Sequence, residues 1–386
     1  MDFDLQWLLL GLPLAFGLGW LASRLDLRQW RREQTDAPKA YFKGLNLLLN
    51  EQQDKAIDVF IEAVQRDPDT LDLHFALGNL FRRRGEYERA VRVHQHLLAR
   101  ADLPKGERER AQHALAQDFM KAGLFDRAEQ AFAALDGTPF DTEARLALLT
   151  LHERSRDWRA AVDVAQKLER SGTGSFASRI SHYWCEIALE AEARDPRSPD
   201  IEDALRRATE AAPQAARPLL LSGERALRRG DPTQALAHWG LLMASHPALF
   251  NLVANDYAAS ALQVGDAPGA VERLQSLYLR APGVELLAAF IRLDPDPQRQ
   301  RERLLAHLRR APTLSAAQAL LQGPGSDAEG IEAAPAAALR DAVTRAAQPL
   351  HRYRCAACGF EAQHYFWQCP GCLSWDSYPP QRLEDL

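Results

Sequence analysis

Cysteine and methionine are scarce in this chain, with five and three among 386 residues. Four of the cysteines crowd between positions 355 and 372, and Cys185 stands alone. Such clustering excludes a disulfide framework spread over a secreted domain and points to a reduced, cytoplasmic metal site. An excess of positive charge is also missing: the formal net charge is −5. No global basic field therefore argues for nucleic acid, and runs such as Arg82-Arg83-Arg84 are flanked by acidic residues. Neither a glycine-rich phosphate loop nor a nucleophile–base set stands out, so the chain is expected not to be an enzyme. A composition of 46% hydrophobic and 26% charged residues belongs to a folded protein, and the length exceeds one ordinary domain.

One long apolar run is present. Between Leu5 and Ala22 the only non-apolar side chain is Gln6. Eighteen helical residues reach about 27 Å, close to the hydrocarbon thickness of a bilayer. Trp7 and Trp20 flank the run as interfacial residues do. Asp2 and Asp4 precede it, whereas Arg24, Arg28, Arg31 and Arg32 follow, the reverse of a signal peptide's polarity. A buried soluble helix is the other reading. The positive flank predicts a single-pass anchor with a periplasmic N-terminus and a cytoplasmic body.

From about Pro38 to Arg310 an alanine recurs with a bulky residue four positions later. The anchors are Ala56, Ala90, Ala128, Ala161, Ala204, Ala235 and Ala270, spaced 34, 38, 33, 43, 31 and 35 residues apart. That period resembles the tetratricopeptide repeat, a helix pair that buries its apolar face only by stacking on neighbours. Gly44, Gly78 and Ala116 stand twelve residues before their anchors, where close approach needs small residues. Gly85, Gly123, Gly230 and Gly265 mark turns within repeats, and Pro68, Pro247 and Pro282 end second helices. His94 replaces the usual apolar residue, Asp195–Pro199 is an insertion, and the pattern fades after Pro282.

In this repeat the second, fifth, ninth, twelfth and thirteenth residues of the first helix face a concave groove. Counting from the anchors places there Phe75, Asn79, Arg82 and Arg83, then His113, Gln117, Met120 and Lys121, then Thr150 and Arg154. These suit an extended peptide or a partner helix.

The C-terminal cysteines fall as Cys355-x-x-Cys358 and Cys369-x-x-Cys372, among seven aromatic residues from Tyr353 to Tyr378. Two such turns bring four thiolates to one ion, Zn²⁺ or a single iron. Four protein ligands close the site, so its role is structural or recognitional. So small a segment folds chiefly on metal energy.

The expected fold is all-α: a superhelical tetratricopeptide solenoid with an N-terminal transmembrane helix and a small rubredoxin-like, zinc-ribbon domain. Its segments are an anchor at 1–24, a juxtamembrane linker at 25–36, repeats at 37–310, a helical connector at 311–349 and a metal domain at 350–386. The order of these segments, with Tyr353-Arg354-Cys355-Ala356-Ala357-Cys358-Gly359-Phe360, Trp367-Gln368-Cys369-Pro370-Gly371-Cys372 and Trp375, resembles the bacterial lipopolysaccharide assembly protein B family, formerly YciM. The resemblance spans essentially the whole chain. It implies an adaptor in the inner membrane of Gram-negative bacteria. Such an adaptor promotes degradation of the lipid A deacetylase LpxC by the membrane protease FtsH, and it contacts other lipopolysaccharide assembly proteins. It also implies that the metal knuckle packs against the repeats and is needed for function. An iron redox protein on a repeat scaffold and a chaperone-docking scaffold are the rival readings. A nucleic-acid partner is not expected, and a homodimer stays among the open oligomeric states.

Overall fold

In a computed structural model of the chain the described residues are 16–20, 42–47, 49–50, 52–66, 70–322 and 333–385. The expected anchor lies outside them except for residues 16–20, which are helical, and Arg24, Arg28, Arg31 and Arg32 lie outside them altogether. Among the described residues no helix is long and apolar enough to cross a membrane.

The chain divides into two compact units, residues 1–173 and 174–386. The first contains α1 (Gln53–Arg66), the pair α2 (Leu71–Arg83) and α3 (Tyr87–Ala99), the pair α4 (Lys105–Lys121) and α5 (Phe125–Ala133), and the pair α6 (Asp141–Ser155) and α7 (Trp158–Arg170). The second begins with α8 (Ala177–Arg194) and α9 (Asp200–Ala211), then α10 (Ala216–Arg228) and α11 (Pro232–Ser245). A short α12 (Pro247–Phe250) and a 3₁₀ turn (Asn251–Val253) lead into α13 (Ala254–Val264) and α14 (Ala267–Arg280). After these come α15 (Val284–Leu293), α16 (Pro297–Arg310), α17 (Leu314–Gln322) and α18 (Ala333–Ala347), each helix packing on its neighbours in turn. The chain closes with a two-stranded antiparallel ribbon, β1 (Tyr353–Arg354) and β2 (Glu361–Ala362).

The alanine anchors explain why consecutive helices pair. All seven are at most 1% exposed; Ala56 lies on α1, and the other six lie on the second helix of a pair. The residues four positions on are equally buried: Phe60, His94, Phe132, Ala165, Ala208, Trp239 and Leu274. Sizes are complementary across each pair. A Cβ at Gly44, Gly78 or Gly223 would overlap the ring of Phe60, His94 or Trp239, respectively. Where the first helix instead carries Leu149, the second offers only Ala165. Interiors packed at crystal density demand such compensation. The turns follow the same register. Five residues before their anchors Gly85, Gly123, Gly230 and Gly265 all have positive φ, and Arg156 takes the same left-handed conformation at φ 58°.

Candidate metal centre and its docking face

The ribbon is two copies of one backbone knuckle. The N–H of Cys355 donates to Phe360 O at 2.9 Å, and that of Gly359 donates to Cys355 O at 2.8 Å. In the second knuckle Cys369 N–H donates to Ser374 O at 2.9 Å and Leu373 N–H to Cys369 O at 2.8 Å. Gly359 and Leu373 hold corresponding places, and both have positive φ, 77° and 61°.

Each knuckle turns its cysteine sulfurs toward those of the other. All four Sγ atoms lie within 4.8 Å of one another, with Cys355–Cys372 at 3.8 Å and Cys358–Cys369 at 3.7 Å. A tetrahedron of sulfurs 2.3 Å from a central ion has edges of about 3.8 Å, so the four positions fit one ion. No disulfide joins them. Cys355 and Cys369 are buried, whereas Cys358 and Cys372 lie at the surface.

Electrostatics favour thiolates on both sides of the site. Burial raises the Cys355 thiol, but hydrogen bonds from Ser377 and from the backbone N–H groups of Cys358 and Ala357 outweigh it and bring the pKa to about 6. The hydroxyl and N–H of Ser374 lower Cys372. At Cys358 the Phe360 N–H lowers the thiol, yet burial and the three neighbouring sulfurs push it up to about 12. Like charges gathered at one site make the Cys358 thiol hold its proton more tightly than an isolated thiol does. A bound cation removes that conflict, and the soft sulfur set suits zinc or a single iron. With four protein ligands no coordination position stays open for water or substrate.

The ribbon is seated on helices of its own unit. Trp375 stacks on His182 of α8 with ring centres 4.7 Å apart, and its edge meets Tyr183 at 5.9 Å. His182 Nε2 and Ser178 Oγ both bond Asp376 Oδ2, at 2.9 and 3.2 Å. Although burial raises the Asp376 carboxyl, His182 and Ser178 hold it below its ordinary value. From α10, Arg217 pairs with Glu186 at 2.6 Å and lies over Trp367 and Trp375 at 5.7 and 5.9 Å. Leu252 packs against the core of Tyr353, Cys355, Cys369 and Tyr378. Farther along, Arg382 pairs with Glu285 of α15 at 2.6 Å, and Glu384 accepts from the Ser315 N–H on α17 at 3.1 Å. Through these contacts the ribbon packs on helices of the compact unit that starts at residue 174.

Three of the docking residues were within reach of the sequence. Glu186, Arg217 and Leu252 each stand eighteen residues before an anchor alanine, at the second position of the groove-facing pattern. Applying the groove count to the later repeats as well as to the earlier ones identifies them. In this unit the ribbon occupies those positions.

The groove residues proposed for the first unit divide by burial. Arg83, Lys121, Thr150 and Arg154 are exposed, and Met120 is half-buried. His113 stacks on Phe140 at 4.9 Å with Gln117 3.3 Å away, and burial lowers its pKa. Phe75 is buried, 2% exposed, and packs with Leu97, Leu103, Ala111 and Ala114 beneath the Arg110 guanidinium. Arg82 is committed inward as well, to Asn79 at 2.5 Å and to the buried Asp118 at 2.8 Å. Cys185 is wholly buried with its thiol pushed up to about 12 by desolvation, which makes it a packing residue rather than a reactive one.

Fold and site together define the class: a tetratricopeptide-type helical-repeat protein carrying a rubredoxin-type ribbon with a four-cysteine metal site. Residues 353–379 match the family model described as "Rubredoxin metal binding domain". The chain is 32% identical over 387 residues to lipopolysaccharide assembly protein B of Escherichia coli (strain K12), covering 98% of each chain. It is 27% identical over 401 residues to the protein of that name from Haemophilus influenzae, covering 97% of this chain and 98% of the relative. The chain belongs to the lipopolysaccharide assembly protein B family. Among solved structures it resembles a tetratricopeptide repeat protein from Parabacteroides merdae (12% identity, TM-score 0.29, covering 80% of this chain and 98% of that one). It also resembles a chain in the structure of Naa15/Naa10 bound to HypK-THB (16% identity, TM-score 0.42, covering 74% of this chain and 43% of that one).

Proposed function

We propose that the protein is a non-enzymatic, inner-membrane adaptor in lipopolysaccharide assembly. The observation that carries this reading is the whole-length likeness to lipopolysaccharide assembly protein B, joined to a closed metal site that has no room for a substrate. In this reading residues 1–24 anchor the chain, the body faces the cytoplasm, and the helical pairs present side chains such as Arg83, Lys121 and Arg154 to protein partners. The partners are the protease FtsH, its substrate LpxC and other assembly proteins of the same membrane. The mechanism is proximity: two weak contacts on one anchored body raise the local concentration of substrate beside the protease without new chemistry. The metal supplies folding energy to the ribbon, and Cys355, Cys358, Cys369 and Cys372 hold it.

The test is complementation in Gram-negative cells that lack their own family member, with LpxC turnover followed by pulse–chase. The full chain is expected to restore rapid turnover, and a chain lacking residues 1–22 is not. Normal turnover with the truncated chain would overturn the tethering mechanism.

A further inference from the structure

The four residues after Cys372 serve two structures at once. On one side they finish the second metal knuckle: Leu373 donates to Cys369 O, Ser374 accepts from Cys369 N–H, and the Ser374 hydroxyl lies 3.3 Å from Cys372 Sγ. On the other side Trp375 and Asp376 make the contacts with His182 and Ser178. The Asp376 N–H also donates to Trp367 O at 2.9 Å, which ties both tryptophans of the docking face to this turn. Leu373 and Asp376 both have left-handed backbones, at φ 61° and 51°. The first knuckle places a glycine at the position of Leu373. Unfavoured backbone of this kind persists only where the surroundings over-determine it. Here the surroundings are the two cysteine ligands before the turn and His182 after it.

We infer that metal binding and docking of the ribbon on α8 are one coupled equilibrium, with His182 as a positioning residue for a metal site it does not touch. His182 fixes Asp376 and Trp375, and these hold the turn that sets Cys369 and Cys372 in ligating geometry. Linkage makes the effect reciprocal: an ion that favours the docked turn must also be bound more tightly because of it. Outer partners that orient metal ligands are commonly worth ten- to a hundredfold in affinity. The inference is independent of the role proposed above, since it concerns only the ion and the chain's own helices.

The experiment uses the full chain loaded with Zn²⁺ and titrated with a chromophoric chelator, all four cysteines intact. His182→Ala is expected to weaken Zn²⁺ binding by about tenfold or more. His182→Gln keeps an N–H donor for Asp376 and is expected to recover most of that loss. In the reverse direction, stripping Zn²⁺ from the unaltered chain should speed hydrogen exchange in residues 177–186 of α8 and leave α2 to α4 unchanged. A His182→Ala affinity within about twofold of the parent, a Gln variant as weak as Ala, or unchanged α8 exchange after stripping would each overturn the coupling.

Discussion

His94 and Asp118 form a buried polar pair across consecutive repeats: Nδ1 of the ring lies 2.5 Å from the carboxylate, and neither side chain is exposed. Asp118 is held from its other oxygen by Arg82 at 2.8 Å. Three helices, α2, α3 and α4, are thereby joined where the other pairs use apolar packing. Removing one member of such a group strands the others without water. Asp118→Ala is therefore expected to destabilise the first unit by about 3–5 kcal/mol. Replacing the pair by apolar residues should cost less, because only Arg82 then loses a partner, and it keeps Asn79 Oδ1 at 2.5 Å and Ala114 O at 3.1 Å. His94→Phe with Asp118→Leu is the apt combination, since Phe60 already sits over Gly44 at the equivalent place one repeat earlier. Thermal unfolding of the single and double variants separates these outcomes; equal losses would refute the argument.

Gly223 lies against the indole of Trp239, whose Nε1 donates to Leu220 O at 3.3 Å. Both flat faces of that contact are backbone or a pinned ring, so an added methyl has nowhere to go. Gly223→Ala is expected to cost about 1–3 kcal/mol despite alanine's better helix propensity. Trp239→Leu should remove the clash, so the double variant should be less destabilised than the two single losses added together. A double-mutant cycle reads this directly, and additivity would show that the contact is looser than described.

The two patterns that carried the most in sequence were both set by short-range rules. Alanine anchors recur because two helices cannot approach with larger residues there, and each of the seven is buried as the spacing predicts. The paired C-x-x-C turns are local too, and the structure brings all four sulfurs together. What stayed hidden depends on distant partners. His94 reads as an oddity until Asp118, 24 residues on, is placed beside it. Phe75 reads as a groove residue because a repeat-wide count treats every fifth position alike. Its burial shows only once Leu97 and Leu103 are placed beside its ring. The seat of the ribbon pairs Asp376 with a histidine 194 residues earlier, a separation no periodicity encodes.

Asp385 gives a pH signature. Burial, followed by the nearby Glu285 and Glu384 carboxylates, raises its carboxyl to about 7, against the opposing pull of Arg382 and the Val284 N–H. A raised folded value means the folded form holds the proton more tightly than the unfolded chain. Its contribution is fully present below the unfolded value of 3.8 and is lost as pH rises through about 7. Asp385→Asn should therefore differ little from the parent at pH 4 and unfold at higher temperature than the parent at pH 8. The difference between the two melting curves isolates this group from histidines such as His307, whose burial-lowered pKa acts in the opposite direction. A difference that is flat with pH would contradict the assignment.

Arg156 supplies the last test. It ends α6 at φ 58°, ψ 29°, the position where four other repeats carry glycine. Its N–H bonds Glu153 O at 3.3 Å, and the side chain is exposed. A left-handed backbone costs a residue with a Cβ about 1–2 kcal/mol. Glycine avoids that cost but gives back about 0.5–1 kcal/mol in unfolded-state entropy. Arg156→Gly should accordingly stabilise the first unit by up to about 1 kcal/mol, seen as a rise of a few degrees in its unfolding temperature. Arg156→Val, which tolerates this conformation poorly, should lower it. The opposite order would mean that the arginine side chain contributes more at this turn than its backbone loses.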